Sequence, residues 1–289
     1  MDSLVGMIIP DGMNQFFSAL ALQTQRQLAN MSIPMVVLNS DNSPDNEIQG
    51  VKLLLKMNVK GIIFVSVGDN KEVYYQLRSS KIPIVIVDRE IPETENCDFV
   101  ISDNKIGIIE AVKYLCDLGH SKIGILKGSQ NTDPGRIRYK AFQEALGTCG
   151  LEGNPRLEFD GEFDYLSGLK AADEIYNIPK TNRPTAVISC NDFMAFGLLQ
   201  GLSRLEIKVP EDISIIGVDD IPLCEWSNPK LTTIRQDTTQ IAIWSANYLV
   251  SRITETYIGS PRLEWVEPRL IKRESVKIYK ETIEVLNEK

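Results

Sequence analysis

Short runs of β-branched and other apolar residues recur along the 289-residue chain, separated by longer stretches of helical periodicity. In the first of these stretches, apolar or small residues recur at spacings of three, four and seven, which places them on one helix face. Alternation of such strands and helices predicts an α/β fold built from βαβ units around parallel sheets. The predicted strands are LVGMII, MVVLN, KGIIFVS, IPIVIVD, FVIS, KIGILKG, RLEF, TAVIS and ISIIGVD.

The same succession of strands and of the residues that end them occurs twice along the chain. The distance in sequence between matching positions increases slowly from the first pair to the last. The matching positions are Gly6 with Gly124, Ile63 with Ile188, and Asp88 with Asp219. A repeat of this length predicts two similar α/β halves with loop insertions between them, instead of an array of small repeats.

The segment after Asp237 belongs to neither half and reads as one long amphipathic helix. Asp237 and Gln240 form a capping-box-like pair at its start, and Ile241, Trp244 and Leu249 lie on its apolar face. We expect this helix to return to the first half. The strand pieces that follow, LEWVEPRLIKRES and VKIY, are expected to lie at the edges of both sheets.

The stretch ISIIGVDDIP is apolar enough for a buried strand and yet ends in two adjacent carboxylates, Asp219 and Asp220. Ligands of open parallel sheets bind outside the carboxyl ends of the strands, where helices begin. Two ionised carboxylates in contact are costly to bury, so one is expected to face a cleft and the other solvent or backbone amides.

Other polar residues fall at equivalent strand ends in both halves. They are Asp11, Ser66, Asp88, Asp103 and Asn191. Any one of these residues is explained equally well as a helix cap or a turn residue. Because they share one edge of the predicted sheets, the set favours a ligand site.

A guanidinium group and aromatic rings are predicted close to the same edge. Arg138 lies in the opening turns of a helix, where the helix dipole disfavours a cation, and its planar fork can bind paired oxygens. Phe16 and Phe163 follow predicted strands, and each is interpreted either as a ligand contact or as an ordinary core residue. Aromatic faces with carboxylates, an amide and an Arg suit a polyhydroxylated ring, and no metal or other cofactor is expected.

Charge and composition restrict the function classes. The net charge of -8 disfavours binding of this chain alone to nucleic acid or to anionic membranes. Five cysteines without a CxxC pair favour a reducing cytoplasm, and neither a signal peptide nor a transmembrane run is recognised. A single histidine, His120, and the lack of a GxSxG, GxGxxG or Walker A motif argue against an enzyme without excluding one.

Over nearly its whole length the chain resembles the effector-binding core of bacterial transcription regulators of the lactose-repressor and galactose-repressor family. Matching stretches include VGMIIPDGMNQFF, IPIVIVDR, ISDNKIGIIEAVKYLCDLGHSKIGIL and GRIRYKAFQEAL. The most specific match is VPEDISIIGVDDIP followed by NPKLTTIRQD.

The resemblance implies two subdomains with parallel sheets flanked by helices and joined by three crossovers, the periplasmic-binding-protein-like arrangement of type I. Residues 1–103 plus 236–266 would form the N-terminal subdomain, and residues 104–235 plus 267–289 the C-terminal subdomain. The crossovers would lie near 102–104, 235–237 and 266–269. By motif, the effector contacts would be Phe16, Ser66, Asp88, Asp103, Arg138, Phe163, Asn191, Asp219 and Gln236.

The expected function is therefore sensing of a small effector, a sugar or related metabolite, in the cleft of a homodimeric transcription regulator. Operator DNA would be read only through a helix-turn-helix that this chain lacks, so the chain would be a regulatory core cut from a longer protein. The alternatives are a solute-binding protein of a sugar transporter and a sugar-modifying enzyme. Pentoses, hexoses, nucleosides and sugar phosphates all remain open as ligands.

Overall fold

The computed structural model describes residues 4–68, 70–89 and 97–279, so the expected subdomain ends 1–3 and 280–289 lie outside the described residues. The strands are β1 (Val5–Ile9), β2 (Met35–Asn39), β3 (Gly61–Phe64), β4 (Ile84–Val87), β5 (Asp98–Ser102), β6 (Ile123–Leu126), β7 (Glu158–Phe159), β8 (Ala186–Ser189), β9 (Ser214–Asp219), β10 (Thr232–Arg235), β11 (Leu263–Val266) and β12 (Arg269–Ile271).

Helices alternate with these strands along most of the chain. They are α1 (Gln15–Asn30), α2 (Pro44–Lys56), α3 (Lys71–Ser79), α4 (Asn104–Asp117), α5 (Asp133–Thr148), α6 (Tyr165–Asn177), α7 (Asp192–Arg204), α8 (Leu223–Trp226) and α9 (Thr238–Ile253). Within residues 4–68, 70–89 and 97–279, no helix is both long and apolar enough to cross a bilayer.

The strands form two sheets with matching strand orders. The first sheet has the order β2-β1-β3-β4-β5-β11 and is parallel throughout. The second has the order β7-β6-β8-β9-β10-β12, in which only the edge strand β12 is antiparallel among the described pairs. The shared order confirms the predicted α/β fold of two similar halves, which we call the first lobe and the second lobe.

Helices cover both faces of each sheet, which explains the continuous apolar strands. In β1, Met7 and Ile9 face the core shared with α1, whereas Ile8 faces a separate core with Val51 and Leu54 of α2. In parallel sheets covered on both faces, alternate side chains are buried in opposite cores. Consecutive residues of these strands are therefore apolar because both faces of the sheet are buried.

The chain passes between the lobes three times, as predicted. The passages join β5 to α4, β10 to α9, and β11 to β12. Helix α9 returns to the first lobe, where it packs on α1, β4 and β5, and Asp237 caps it by accepting a hydrogen bond from the Gln240 amide at 3.0 Å. Of the tail strands, β11 and β12 lie at the two sheet edges, but the VKIY segment forms no strand.

A buried carboxylate attaches the returning segment to the first sheet. Asp98, the first residue of β5, accepts hydrogen bonds from the guanidinium groups of Arg252 at 2.8 Å and Arg262 at 2.6 Å, and its side chain is fully buried. Burial opposes its ionisation, but the bonds from both arginines outweigh burial and hold the pKa of Asp98 below its usual value. The ion pairs join β5 to α9 and to the strand β11 that follows it.

We expect Asp98→Asn to lower the free energy of unfolding at pH 7 by about 3 kcal/mol, because two arginines lose their buried counter-charge. Since the folded-state pKa of Asp98 is depressed, its contribution is complete above the unfolded pKa of about 4 and is lost as the pH falls through the lower folded value. Urea unfolding of both proteins between pH 7 and pH 3 tests this. The control is Asp173→Asn on the exposed face of α6, and an equal effect of the two substitutions would contradict the assignment.

Candidate ligand-binding site

The two sheets point their carboxyl ends at a cavity of about 970 Å³ between the lobes. The first lobe contributes the loops after β1, β2, β3 and β4. The second lobe contributes the loops after β6, β7 and β8 and the end of β9, and the crossover after β10 also lines the cavity. The cavity therefore lies where ligands bind in open parallel sheets. Seven of the nine predicted contact residues line it: Phe16, Asp88, Arg138, Phe163, Asn191, Asp219 and Gln236.

The other two predicted residues, Ser66 and Asp103, are not part of the cavity wall. Ser66 is fully buried, and its hydroxyl donates to the Gly68 carbonyl oxygen at 2.7 Å. Asp103 caps helix α4 by accepting a hydrogen bond from the Ile106 amide at 3.1 Å. Both residues lie at strand ends, but their side chains form hydrogen bonds with nearby backbone groups and do not reach the cavity. Asp11, which the family resemblance did not support, does line the cavity.

Arg138 is a buried cation fixed by neutral oxygens. It lies in the second turn of α5, where its Nε atom donates to Oδ1 of Asn104 at 2.7 Å and its Nη1 atom to the carbonyl oxygen of Cys190. The guanidinium carbon lies 5.9 Å from the centre of the Phe163 ring. These contacts hold the cation and the ring as one rigid unit on the second-lobe wall.

Asp219 faces the cavity as predicted and is held by the crossover residue Gln236. The Nε2 atom of Gln236 donates to Oδ1 of Asp219 at 2.7 Å, and both side chains are buried. Burial raises the pKa of Asp219 well above the usual aspartate range, although the nearby charge of Arg138 lowers it. A carboxyl group in this state accepts hydrogen bonds, and donates one when protonated.

Asp220 differs from the prediction that the second carboxylate turns to solvent or backbone amides. Its side chain is buried and forms ion pairs with Arg235 at 2.6 Å and Arg273 at 2.8 Å. Two arginines, from β10 and from the segment after β12, thus neutralise the carboxylate that does not line the cavity. Arg235 and Arg273 were not recognised in the sequence because their distance along the chain hides the contact.

Asn191 both caps a helix and holds an aromatic ring. Its Oδ1 atom accepts from the Met194 amide at 2.8 Å, and its Nδ2 atom donates to the Phe163 carbonyl oxygen at 2.9 Å. The next residue, Asp192, turns away from the cavity and accepts hydrogen bonds from Thr233 Oγ1 at 2.6 Å and the Ile221 amide at 3.0 Å. Burial raises the pKa of Asp192 to about 7. Through its hydrogen bond to Ile221, Asp192 fixes the turn of residues 219–222 on the side away from the cavity.

Three residues of the cavity wall have strained backbones. Asp88 has φ of 71°, Phe163 of 65° and Asp219 of 120°, all in a region that side-chain-bearing residues seldom adopt. Such conformations persist only when their surroundings enforce them, and they concentrate at functional sites. Here the strain aims two carboxylates and one ring into the cleft.

Arg89 is a wall residue that the sequence reasoning missed, although it directly follows Asp88 at the end of β4. Its side chain is buried in the first lobe, and its Nε atom lies 3.7 Å from Oδ2 of Asp88. Behind it stands Glu47, a buried carboxylate whose pKa burial raises to about 7 while the charge of Arg89 lowers it. An acidic and a basic residue side by side at the end of a strand were the feature of the sequence from which Arg89 could have been predicted.

Several buried polar atoms of the wall have no hydrogen-bond partner within residues 4–68, 70–89 and 97–279. They are Oδ1 of Asp88, Nε and Nη1 of Arg89, and Oε1 of Gln236. An unpaired buried donor or acceptor costs about 1–3 kcal/mol, so native proteins seldom leave one unused. The cavity thus offers two acceptors and a forked donor to a molecule that enters it.

Aromatic rings supply the apolar part of the wall. Phe16 and Phe17 are both buried, and their rings meet edge to face with centres 5.2 Å apart. Phe17 lines the cavity as Phe16 does, because the first turn of α1 faces the cleft. Apolar ring faces combined with directed donors and acceptors match the chemistry of a sugar ring, whose faces are apolar and whose edges carry hydroxyl groups.

Comparison with known proteins identifies relatives of the chain. The family described as periplasmic binding protein-like domain matches residues 112–276. The HTH-type transcriptional repressor PurR of Haemophilus influenzae (strain PittEE) is 30% identical over 276 residues, which cover 94% of this chain and 81% of the relative. The ribose operon repressor of Escherichia coli (strain K12) is 29% identical over 274 residues, with the same two coverages of 94% and 81%.

A solved structure agrees with these relatives. The LacI family transcriptional regulator from Enterococcus faecium with bound ribose superimposes with a TM-score of 0.85 at 27% identity, covering 96% of this chain and 100% of that chain. The fold, the family match and the sequence relatives lead to the same assignment. The chain belongs to the LacI family of transcriptional regulators, of which it spans the effector-binding core.

Proposed function

We propose that this core senses a neutral sugar in the interlobe cleft and that ligand binding controls DNA binding by the full-length regulator. The observation that carries the proposal is the set of buried atoms on Asp88, Arg89 and Gln236 around one cavity that have no hydrogen-bond partner in the described part of the chain. Two relatives direct the choice of sugar, since one is named a ribose operon repressor and the other was solved with bound ribose. A pentose such as D-ribose is the proposed ligand class.

Closure of the two lobes is the proposed response. We propose that residues 1–103 with 236–266 and residues 104–235 with 267–289 move as rigid units about the three crossovers. A ligand that contacts both lobes binds the closed state more tightly and shifts the population toward it by that difference in affinity. The net charge of -8 supports a separate DNA-reading segment, because phosphate backbones repel an acidic core.

We further propose that the protein is not an enzyme, acts in the cytoplasm and works as a homodimer. The relatives are transcriptional repressors, which supports a role in binding without turnover. Repressors of this kind read operators whose two-fold symmetry mirrors that of the protein, which favours two copies of the chain.

D-ribose is expected to stabilise the protein, by about 2.7 kcal/mol at 100 times its dissociation constant. Asp219→Asn should weaken binding about 10-fold or more, because an amide cannot reproduce the hydrogen bonds that a buried carboxyl group offers to the ligand. Asp103→Asn is the matched control, since Asp103 caps α4 outside the cavity. Thermal unfolding and calorimetric titration measure both effects. Unchanged affinity in Asp219→Asn, or a comparable loss in Asp103→Asn, would show that the site is misplaced.

Closure can be obstructed at one point where the lobes already meet. A Cβ atom on Gly68, in the loop after β3, would lie 3.3 Å from the Asn131 carbonyl oxygen in the loop after β6. Gly68→Leu should therefore hold the lobes apart and raise the dissociation constant for D-ribose about 10-fold. The control is Gly153→Leu, where a Cβ meets no atom of the described residues within 4 Å. Small-angle X-ray scattering with saturating ligand should give a larger radius of gyration for Gly68→Leu, and equal radii would refute the closure proposal.

Sedimentation equilibrium tests the proposed assembly. A homodimer of this 32.4 kDa chain should give a mass of about 65 kDa at micromolar concentration. A mass that stays at the monomer value up to the highest concentration measured would reject the dimer without touching the ligand proposal.

A further inference from the structure

We propose that Gly128 is a positioning residue of the ligand site, which sets the place of the Phe163 ring and thereby the shape of the cleft. This inference rests on the proposed sugar-sensing function. Gly128 is buried in the loop that follows β6, and its position in the sequence carries no sign of contact with residue 163.

The ring of Phe163 lies directly on the backbone of Gly128. A Cβ atom built there would overlap the Cζ and Cε1 atoms of the ring and would lie 2.8 Å from Cε2. Real Cβ atoms do not approach other atoms so closely, because interiors are packed to the van der Waals limit. The φ angle of Gly128 is outside the left-handed region, so the local backbone admits an alanine, and the three atoms nearest to its Cβ all belong to the ring.

The loop that carries Gly128 cannot retreat from the ring. On one side Lys127 donates its amide hydrogen to the Phe159 carbonyl at 2.8 Å, and a Cβ on Gly161 would lie 2.6 Å from the Lys127 carbonyl oxygen. On the other side the Ser129 carbonyl oxygen accepts from Oγ1 of Thr132 at 2.9 Å. Hydrogen bonds and close packing thus fix both neighbours of Gly128.

The backbone of Phe163 is held as firmly as the loop. Its carbonyl oxygen accepts from Asn191 at 2.9 Å, and its φ of 65° leaves little room for further rotation. The following residue, Asp164, caps α6 by accepting from the Ser167 amide at 2.7 Å. A methyl group on residue 128 therefore displaces the ring through its side-chain torsions alone.

Displacement of the ring changes the site in two ways. The ring leaves its place beside the guanidinium of Arg138, 5.9 Å from the ring centre, and it moves into the cavity that both residues line. A sugar that stacks on the ring face then loses contact area and meets a narrower cleft. The absence of a side chain at residue 128 is thus a requirement of ligand binding that acts through Phe163.

A double-mutant cycle separates this role from a general packing defect. The four proteins are the parent, Gly128→Ala, Phe163→Leu and the double variant, each titrated with D-ribose by calorimetry. We expect Gly128→Ala to raise the dissociation constant about 10-fold in the parent and less than about two-fold in the Phe163→Leu background, where the ring edge is gone. Gly153→Ala is the control and should leave the affinity unchanged, since its Cβ meets no atom within 4 Å among the residues that the structure describes.

Thermal unfolding without ligand gives a second reading of the same contact. Gly128→Ala should lower the midpoint by roughly 5 °C in the parent and by much less in the Phe163→Leu background. If Gly128→Ala alone does not fold while the double variant does, the contact is supported as well. Equal losses in both backgrounds, in midpoint or in affinity, would overturn the inference.

The two proposals fail in distinguishable ways. If the parent protein does not bind D-ribose, the proposed ligand class is wrong, and the dependence of the midpoint shift on Phe163 still decides whether Gly128 positions the ring. If the parent binds D-ribose and Gly128→Ala binds it equally well, the sugar-sensing proposal stands and the positioning role of Gly128 is rejected.

Discussion

Parallel strands deliver all of their carboxyl ends to one edge of a sheet, and this constraint decides where the polar groups of the chain can meet. Because each lobe repeats the same strand order, two such edges face each other across the cleft. Residues far apart in the chain, such as Asp88 and Asp219, thereby reach one cavity from opposite lobes. The strands themselves are buried on both faces, so polar groups could be placed only at their ends without leaving charge in the core.

The site is assembled at the expense of local stability. Asp88 and Asp219 combine buried carboxylates with unfavourable backbone angles, and Asp88 leaves one oxygen unpaired within the described part of the chain. Each feature destabilises the unliganded protein by about 1–3 kcal/mol. Large apolar cores on both sides of each sheet offset this cost. A ligand that pairs the free atoms therefore gains affinity from groups that are already desolvated and fixed in place.

Most of the fold could be predicted from the sequence, but only part of the candidate site could. The two similar halves, the crossovers and the return of α9 followed from periodicity, the internal repeat and the family resemblance, since these depend on many residues at once. Site membership depends on where single side chains point, and a strand-end position alone does not settle that. Ser66 and Asp103 satisfied local backbone groups instead of the cavity. Arg89 was missed because a basic residue next to Asp88 looks like a surface ion pair until its burial is known.

Ion pairs on buried carboxylates anchor the chain beside the crossovers in both lobes. In the first lobe Asp98 joins β5 to Arg252 and Arg262, and in the second lobe Asp220 joins the end of β9 to Arg235 and Arg273. Charges held in this way resist separation, because breaking such a pair leaves an uncompensated ion in a poorly hydrated place. Arg235 lies at the start of the crossover from β10 to α9, so its pair with Asp220 also attaches that crossover to the second lobe. Under the proposed closure, each lobe anchored in this way would rotate as a unit against the other about the three crossovers.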